Sequence, residues 1–199
     1  MKAAAPRRPY RMVARAEAAE ATRDRILDAA VATFWELDGD GVSLDAVAKR
    51  AGVTVQTVIR RFGGRDGLFA AAAGREVDRV RSQRDEAPVD DVAGAVRVLT
   101  DHYERLGDRV LRLLAEEHRV PGLDVVVDTG RAYHRGWCER VFASALAGRT
   151  GVNRDRRLAQ LVAVCDVYTW KLLRRDAGLS RRQTERALVE LVEPLTRPS

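Results

Sequence analysis

The sequence lacks any long apolar run. No stretch approaches the ~20 uninterrupted apolar residues that a transmembrane helix requires, so a membrane-spanning segment is excluded. Residues 1–15 are basic but contain no apolar core, so they do not have the pattern of a secretory signal. These absences predict a cytoplasmic protein without a membrane partner.

Cysteine and proline are also scarce. The two cysteines, Cys138 and Cys165, both fall in apolar helical patterns, which predicts reduced and buried thiols. No Cys-x-x-Cys pair or His/Cys cluster has the spacing of metal ligands, so we expect no metal site and no cofactor. Six prolines and few alternating β-branched runs argue against a sheet. Because Ala, Leu, Arg and Glu are abundant, we predict an all-α protein.

The charge balance is basic, with a net charge of +6 over 199 residues. This excess suits a polyanionic partner but does not identify one. Because it is modest for the length of the chain, a localised basic patch matters more than the total charge.

Residues 43–62 have the pattern of two short helices joined by a tight turn. Leu44, Val47, Ala48 and Ala51 recur at i, i+3, i+4 and i+7, which places them on one face of a helix. Gly52 follows where the chain must adopt left-handed backbone angles. The two helices are therefore expected to cross closely at this turn.

Ser43 and Thr54 are placed to cap these two helices, and Val58 is placed to fill the crossing between them. This is the helix-turn-helix arrangement, in which the second helix enters the major groove of DNA. A helical hairpin with only a structural role has the same apolar face and glycine turn. The pattern by itself therefore leaves both interpretations open.

The outward side chains of the second helix favour contact with DNA. They offer hydrogen-bond donors and acceptors, positive charge, and apolar groups that can contact thymine methyls: Thr54, Val55, Gln56, Thr57, Ile59, Arg60 and Arg61.

The flanking segments suggest further elements. Residues 1–15 are predicted to form a disordered basic arm, which either follows DNA phosphates or a minor groove or is only a solvated tail. A helical pattern then runs from about residue 16 to residue 37, with Thr22 as a candidate cap. We predict a helix-turn-helix domain over 16–66, a connecting helix over 67–86, and a C-terminal domain over 87–199.

Several spaced motifs in residues 23–70 together resemble one family. They are Arg25-Ile26-Leu27-Asp28-Ala29-Ala30 with Phe34, Val47-Ala48, Ala51-Gly52-Val53-Thr54, Thr57-Val58, Arg60, Phe62 and Asp66-Gly67-Leu68-Phe69. This segment resembles the DNA-binding domain of the TetR family of bacterial transcriptional regulators. Members usually have an aromatic residue where this chain has Ile59, and often His where it has Arg61. Arg65 matches the position of a phosphate-contacting cation. The cap residues Thr22 and Ser43 complete the set of candidate DNA contacts.

The resemblance implies a homodimer that binds a palindromic operator in double-stranded DNA and is released by a small ligand, most simply a repressor. It also implies a C-terminal four-helix dimer interface. The sequence fits this because residues 158–170 are apolar nearly all round, so a helix there must be covered on two sides. A Ser180–Gln183 capping box opens the last helix. The candidate interface residues are Leu161, Val164, Tyr168, Leu188, Leu191 and Leu195.

Two continuous helices are predicted in the C-terminal domain over about 123–147 and 155–175, and aromatic and polar residues interrupt the apolar faces of this domain. As candidates for a ligand pocket we take Tyr103, His134, Trp137, Phe142, Asp166 and Trp170. The alternative is that the large aromatic residues simply fill the core. Neither the resemblance nor the pattern identifies the ligand.

Two other classes of function have less support in the sequence. An enzyme would have to use His102, His134, Cys165 or Asp166, and these do not have the spacing of a nucleophile, an acid/base pair or a metal site. An adaptor with a vestigial hairpin is disfavoured because the second helix keeps its polar, basic face. We therefore expect a regulator and not an enzyme.

Overall fold

The computed structural model describes residues 8–36, 43–120 and 122–197, and in this part of the chain all regular structure is helical. The helices are α1 (Arg8–Glu36), α2 (Leu44–Ala51), α3 (Val55–Phe62), α4 (Arg65–Arg84), α5 (Val92–Glu116), α6 (Leu123–Val141), α7 (Ala143–Leu146), α8 (Gly151–Val164), α9 (Val167–Lys171) and α10 (Arg181–Thr196). A π-helical turn, Leu172–Asp176, continues α9. The all-α prediction is confirmed. None of these described helices has both the length and the apolar character needed to cross a membrane.

The chain divides into two compact units, Met1–Glu76 and Val77–Ser199. The division falls inside α4, the helix predicted to connect the domains. Each unit has a hydrophobic core of its own.

The core of the N-terminal unit is aliphatic and draws on all four of its helices. Ile26 and Leu27 of α1, Val47 of α2, Val58 of α3 and Leu68 of α4 are each fully buried. Burying a side chain of this size contributes about 1.5–3 kcal/mol. This small core fixes the position of the short helix α3, which could not persist as an isolated peptide of eight residues.

Helix α1 begins earlier than the sequence pattern predicted. It is helical from Arg8, so the predicted disordered arm is wrong for residues 8–15, and the rest of that arm lies outside the described residues. Strong helix formers fill residues 11–21, and Pro9 is tolerated because it lies in the first turn. Thr22 is consequently in the middle of the helix, and its hydroxyl donates to the carbonyl of Ala18 at 2.8 Å. The prediction that Thr22 caps α1 is therefore wrong.

The core of the C-terminal unit is built around aromatic residues. Trp137, Phe142 and Trp170 are almost completely buried, together with leucines of α5, α8 and α10. Gly107 of α5 makes room for one of them, because an added Cβ there would lie 2.5 Å from the indole of Trp170.

Two helices predicted as continuous are interrupted in this unit. The one predicted over 123–147 ends at Val141, where Phe142 leaves the helical region with φ −110° and ψ 38°. The one predicted over 155–175 begins at Gly151 and ends at Val164. Asp166 then caps α9 by accepting from the backbone N–H of Tyr168 at 2.9 Å. The apolar pattern runs through these breaks, so periodicity could not reveal them.

Candidate functional site

The turn between α2 and α3 has the predicted chemistry. The Ser43 hydroxyl accepts from the backbone N–H of Ala46 at 3.1 Å, and Gly52 ends α2 at φ 65°. The Thr54 hydroxyl accepts from the backbone N–H of Thr57 at 3.2 Å and so caps α3. Because each cap satisfies a backbone donor that the helix cannot, these residues fix where α3 begins.

Helix α3 has one buried face and one exposed face. Val58 is fully buried, whereas Gln56, Ile59 and Arg60 are exposed and fall at i, i+3 and i+4, on the same side of the helix. Arg60 makes no hydrogen bond or ion pair within the part of the chain that the structure describes. These three side chains form the exposed face of α3, and a polyanion could contact all of them at once.

The other predicted DNA-binding residues of α3 make contacts within the protein itself. Val55 is half-buried and packs against the N-terminal core, so little of it remains to contact a thymine methyl. Thr57 is also half-buried, and its hydroxyl lies 3.0 Å from that of Thr54. Arg61 is exposed, but its Nη1 donates to the carbonyl of Ala19 on α1 at 3.1 Å.

Outside α3, the predicted cations and caps differ in their surroundings. The guanidinium of Arg65, in the first turn of α4, lies over the ring of Phe69 at 5.1 Å. Thr22 is within α1 and not at its N-terminus, so it offers none of the free backbone N–H groups that bind phosphates at helix starts. Thr22 is therefore not placed to bind a phosphate at a helix start.

Two long-range ion pairs join α1 to α2 and to α4, and sequence reasoning missed both. Arg50 of α2 pairs with Glu36 at the end of α1, and this hydrogen bonding lowers the pKa of the Glu36 carboxyl. Arg75 of α4 donates to Asp28 of α1 at 2.7 Å. The pairs join residues 14 and 47 positions apart, so no local pattern could have found them.

The candidate ligand residues lie in the C-terminal core, which is the alternative that the sequence left open. Trp137 donates from Nε1 to the carbonyl of Arg84 at 2.9 Å, and Trp170 donates from Nε1 to Glu104 at 3.2 Å. The hydroxyl of Tyr103 donates to the carbonyl of Cys165 at 3.0 Å. These polar ends of aromatic residues are thus hydrogen-bonded within the core.

The remaining ligand candidates have different roles. Phe142 is almost completely buried where α6 ends, and Asp166 is the cap of α9. His134 is buried between Arg84 and α8, with Nδ1 2.9 Å from Arg84 Nη2 and Nε2 3.2 Å from the carbonyl of Val162. Two of the six candidates, His134 and Trp137, therefore lie next to the buried guanidinium of Arg84.

The candidate dimer residues divide into three groups by their exposure. Leu161 and Leu188 are buried in the interior of the protomer, so placing them at an interface was wrong. They occupy the faces by which α8 and α10 join their own core. Val164 and Leu195 are half-buried, whereas Tyr168 is 53% exposed and Leu191 46% exposed. Leu172, which was not predicted, is 59% exposed one turn after Tyr168.

Comparisons with known proteins agree with this geometry. Residues 26–72 match the family described as bacterial regulatory proteins, tetR family. Two relatives named HTH-type transcriptional repressor KstR are 31% identical to the chain over 177 residues, one from Mycolicibacterium smegmatis and one from Mycobacterium tuberculosis. The alignments cover 83% of this chain, with 80% of the first relative and 74% of the second. The chain belongs to the TetR family.

The fold is also similar to that of a solved structure from this family. A crystal structure attributed to a TetR-family transcriptional regulator from Rhodococcus sp. superposes with a TM-score of 0.64 at 20% identity, covering 88% of this chain and 99% of that one. The TetR-family chain is thus a transcriptional regulator with an N-terminal helix-turn-helix domain, and not an enzyme.

Proposed function

We propose that this TetR-family chain is a homodimeric repressor that binds a palindromic operator through α3 and is released by a small ligand in its C-terminal unit. The main support for this proposal is the exposed face of α3. Gln56, Ile59 and Arg60 are exposed on a helix whose opposite side is anchored in the core by Val58. The names of the two KstR relatives support repression over activation.

The proposed contacts divide into base-reading and backbone-binding groups. Gln56 is the second residue of α3, where side chains reach base edges, and its amide can pair with adenine through two hydrogen bonds. Arg65 and the capped start of α2 at Ser43 are assigned to phosphates. Since two copies of α3 would enter successive major grooves, the half-sites should lie about 34–36 Å apart.

Binding-site selection with the full chain tests this assignment. Gln56→Ala should lose about 1–3 kcal/mol at one base position and relax the preference there. Arg65→Ala should weaken binding to all sequences alike and reduce the dependence of affinity on salt. Arg182→Ala removes an exposed charge from α10 instead and serves as the control, with salt dependence unchanged. Uniform losses from both test variants would contradict the division of roles.

For the dimer we propose a second copy packed against an exposed apolar face formed by Tyr168, Leu172 and Leu191. These side chains lie on the last helical segments of the C-terminal unit and are each 46–59% exposed. Large apolar side chains with this much exposure favour burial against a partner over contact with solvent. The family resemblance assigns the dimer contact to the same segments.

Sedimentation analysis of Leu191→Lys tests this interface without disturbing the core. The variant should shift the protein towards monomer, because an interface would bury the new charge unpaired. Val125→Lys is the matched control, since Val125 is also apolar and exposed (66%) but lies on α6. A dimer that survives Leu191→Lys unchanged would place the interface elsewhere.

Relief by ligand would require differential binding to two arrangements of the dimer. A coupling of about 1–3 kcal/mol would lower operator affinity roughly 5–150-fold. The measurement is operator affinity with and without a compound that binds the C-terminal unit. A compound that binds this unit and leaves operator affinity unchanged would argue against relief by that ligand.

A further inference from the structure

A buried arginine of the C-terminal unit lacks an acidic partner. Arg84, the last residue of α4, is only 3% exposed. Its Nη2 donates to Nδ1 of His134 at 2.9 Å, and its Nε is buried without a hydrogen-bond partner. Among the described residues no carboxylate pairs with it. The neighbouring Asp85 instead accepts from Arg140 at 2.8 Å and from the Tyr133 hydroxyl at 3.1 Å.

Two other partly buried arginines of this protein have acidic partners. Arg75, whose side chain is 16% exposed, pairs with Asp28, and Arg174, at 27%, pairs with Glu104 at 2.9 Å. Arg157 is also partly buried and donates to the carbonyl of Leu195 at 2.6 Å, with no ion pair among the described residues. Arg84 is more deeply buried than any of the three. Since a buried charge is costly without a counter-charge, its deep burial requires a reason.

The surroundings of Arg84 offset part of this cost without neutralising the charge. The guanidinium lies 4.4 Å from the centroid of the Trp137 ring and 5.5 Å from that of Tyr133. Aromatic faces attract cations, but they carry no net charge. They also form apolar walls beside the guanidinium.

The two nearby histidines do not supply a counter-charge either. Because arginine only donates, His134 accepts at Nδ1 and must carry its proton on Nε2, which donates to Val162. Burial, reinforced by the charge of Arg84, lowers the pKa of His102 to about 3, so His102 is neutral near pH 7. His102 Nδ1 is buried without a hydrogen-bond partner.

A neighbouring thiol is also affected by this charge. The pKa of Cys138 is lowered chiefly by a hydrogen bond with Cys165, and to smaller extents by His134 and Arg84, although burial opposes this shift. The Sγ of Cys138 lies 3.9 Å from His134 Nε2. The positive charge of the Arg84 guanidinium itself would favour an anion entering beside it.

We propose that Arg84 binds the carboxylate of a monocarboxylic acid with an apolar body, and that such an acid is the ligand of this regulator. A planar guanidinium can present Nε and an Nη group to the two oxygens of one carboxylate. The rings of Trp137 and Tyr133 favour an apolar remainder. A phosphate, with its higher charge, would call for more cations than one guanidinium between neutral histidines.

An effect of this site on DNA binding rests on the proposed function, in which a ligand releases the operator. Arg84 ends the helix whose first residue is Arg65, directly after the turn that follows α3. An acid that draws Arg84 away from His134 would act on the last turn of α4. The effect on the operator depends on ligand relief, whereas binding of the acid does not.

Calorimetry on the full chain without DNA tests the proposal with matched pairs of probes. Octanoate is compared with octan-1-ol, and phenylacetate with 2-phenylethanol, so that each pair shares an apolar body and differs in charge. We expect at least one acid to bind about ten-fold or more tightly than its alcohol, the scale of a charge-assisted hydrogen bond. Arg84→Met should remove this preference, and Arg84→Lys should keep part of it.

Controls separate a loss of the site from a loss of the fold. Arg135→Met, an exposed arginine of α6, should keep the full preference for the acid. If Arg84→Met does not fold by circular dichroism, Arg84→Gln replaces it, because its amide can still donate to His134. Equal binding of acid and alcohol, no binding of either acid, or a preference that survives both neutral variants would overturn the proposal. An acid that binds through Arg84 but leaves the operator bound would refute ligand relief alone.

Discussion

The two compact units of this regulator differ in how they bury polar side chains. Among the described residues of the N-terminal unit the buried polar side chain is Thr33, whose hydroxyl donates within its own helix to Ala29 at 2.7 Å. Nε of Arg75 is buried there without a hydrogen-bond partner, but the same guanidinium is paired with Asp28. In the C-terminal unit four buried polar side chains each have an atom without a hydrogen-bond partner: Arg84 Nε, Thr100 Oγ1, His102 Nδ1 and Thr184 Oγ1.

This difference suits the N-terminal unit to contact a partner through its surface and the C-terminal unit to bind a ligand in its interior. The N-terminal unit has an aliphatic core and exposes the polar face of α3, which suits contact with a partner that arrives from solvent. The C-terminal unit keeps unsatisfied polar groups inside, where they cost stability. Such groups are retained more readily where they serve binding, because a ligand can satisfy them.

The largest effect should come from removing an aromatic core residue of the C-terminal unit. Trp170→Ala should lower the free energy of unfolding by about 3–5 kcal/mol, because Trp170 is fully buried and its neighbours can close the space only in part. Val125→Ala, at a position 66% exposed, should change it by less than about 0.5 kcal/mol. Denaturant unfolding followed by circular dichroism measures both. Similar values would show that the aromatic core is not the main source of stability.

In the N-terminal unit a position of comparable sensitivity is Gly67, where the backbone of α4 lies close to that of Phe62. An added Cβ at Gly67 would lie 1.9 Å from the carbonyl oxygen of Phe62, so Gly67→Ala must shift the turn between α3 and α4. We expect a loss of about 3 kcal/mol, at the upper end for overpacking because the obstacle is backbone. Gly74→Ala, in the same helix but with open space, should gain about 0.5–1 kcal/mol. Hydrogen exchange should locate the loss in residues 43–76, and equal effects of the two variants would contradict this account.

Acid should affect the C-terminal unit through a group that the N-terminal unit does not have, since all three histidines lie beyond residue 77. The pKa of His102 falls from 6.5 to about 3 on folding, so the unfolded chain takes up a proton first as the pH drops. Stability from His102 is thus complete above about pH 6.5 and lost below it, by about 2 kcal/mol at about pH 5. His102→Gln should show a flatter dependence on pH in thermal unfolding. Parallel curves for the two proteins would rule out His102 as the source.

The smallest effects compare one helix cap from each unit. Thr54→Ala and Ser180→Ala each remove a cap hydrogen bond, and each should cost about 1 kcal/mol of stability. Only Thr54→Ala should also weaken DNA binding, because it loosens the start of α3. Thr22→Ala is the control, since Thr22 bonds within α1 and caps nothing. If Ser180→Ala weakened DNA binding as much as Thr54→Ala, the caps would not have separate roles.

Local chemistry was predicted well from the sequence. The caps Ser43, Thr54 and Ser180 and the turn at Gly52 were all confirmed, because each depends on residues within a few positions. The start of α1 was missed because a basic composition was taken for disorder, although the residues are good helix formers. The breaks at Phe142 and Cys165 were missed because the apolar pattern continues across them.

The helical class, the helix-turn-helix and its polar face follow from the sequence alone, because periodicity and capping depend on neighbouring residues. Which apolar faces the chain covers itself depends on the tertiary structure, which places Leu161 and Leu188 in the core and leaves Tyr168, Leu172 and Leu191 exposed. The tertiary structure likewise determines that Arg75 pairs with the carboxylate of Asp28 and that Arg84 contacts His134, since the members of each pair lie about 50 residues apart in the sequence. Burial and ion pairing depend on distances in space, which the order of residues constrains only through the fold.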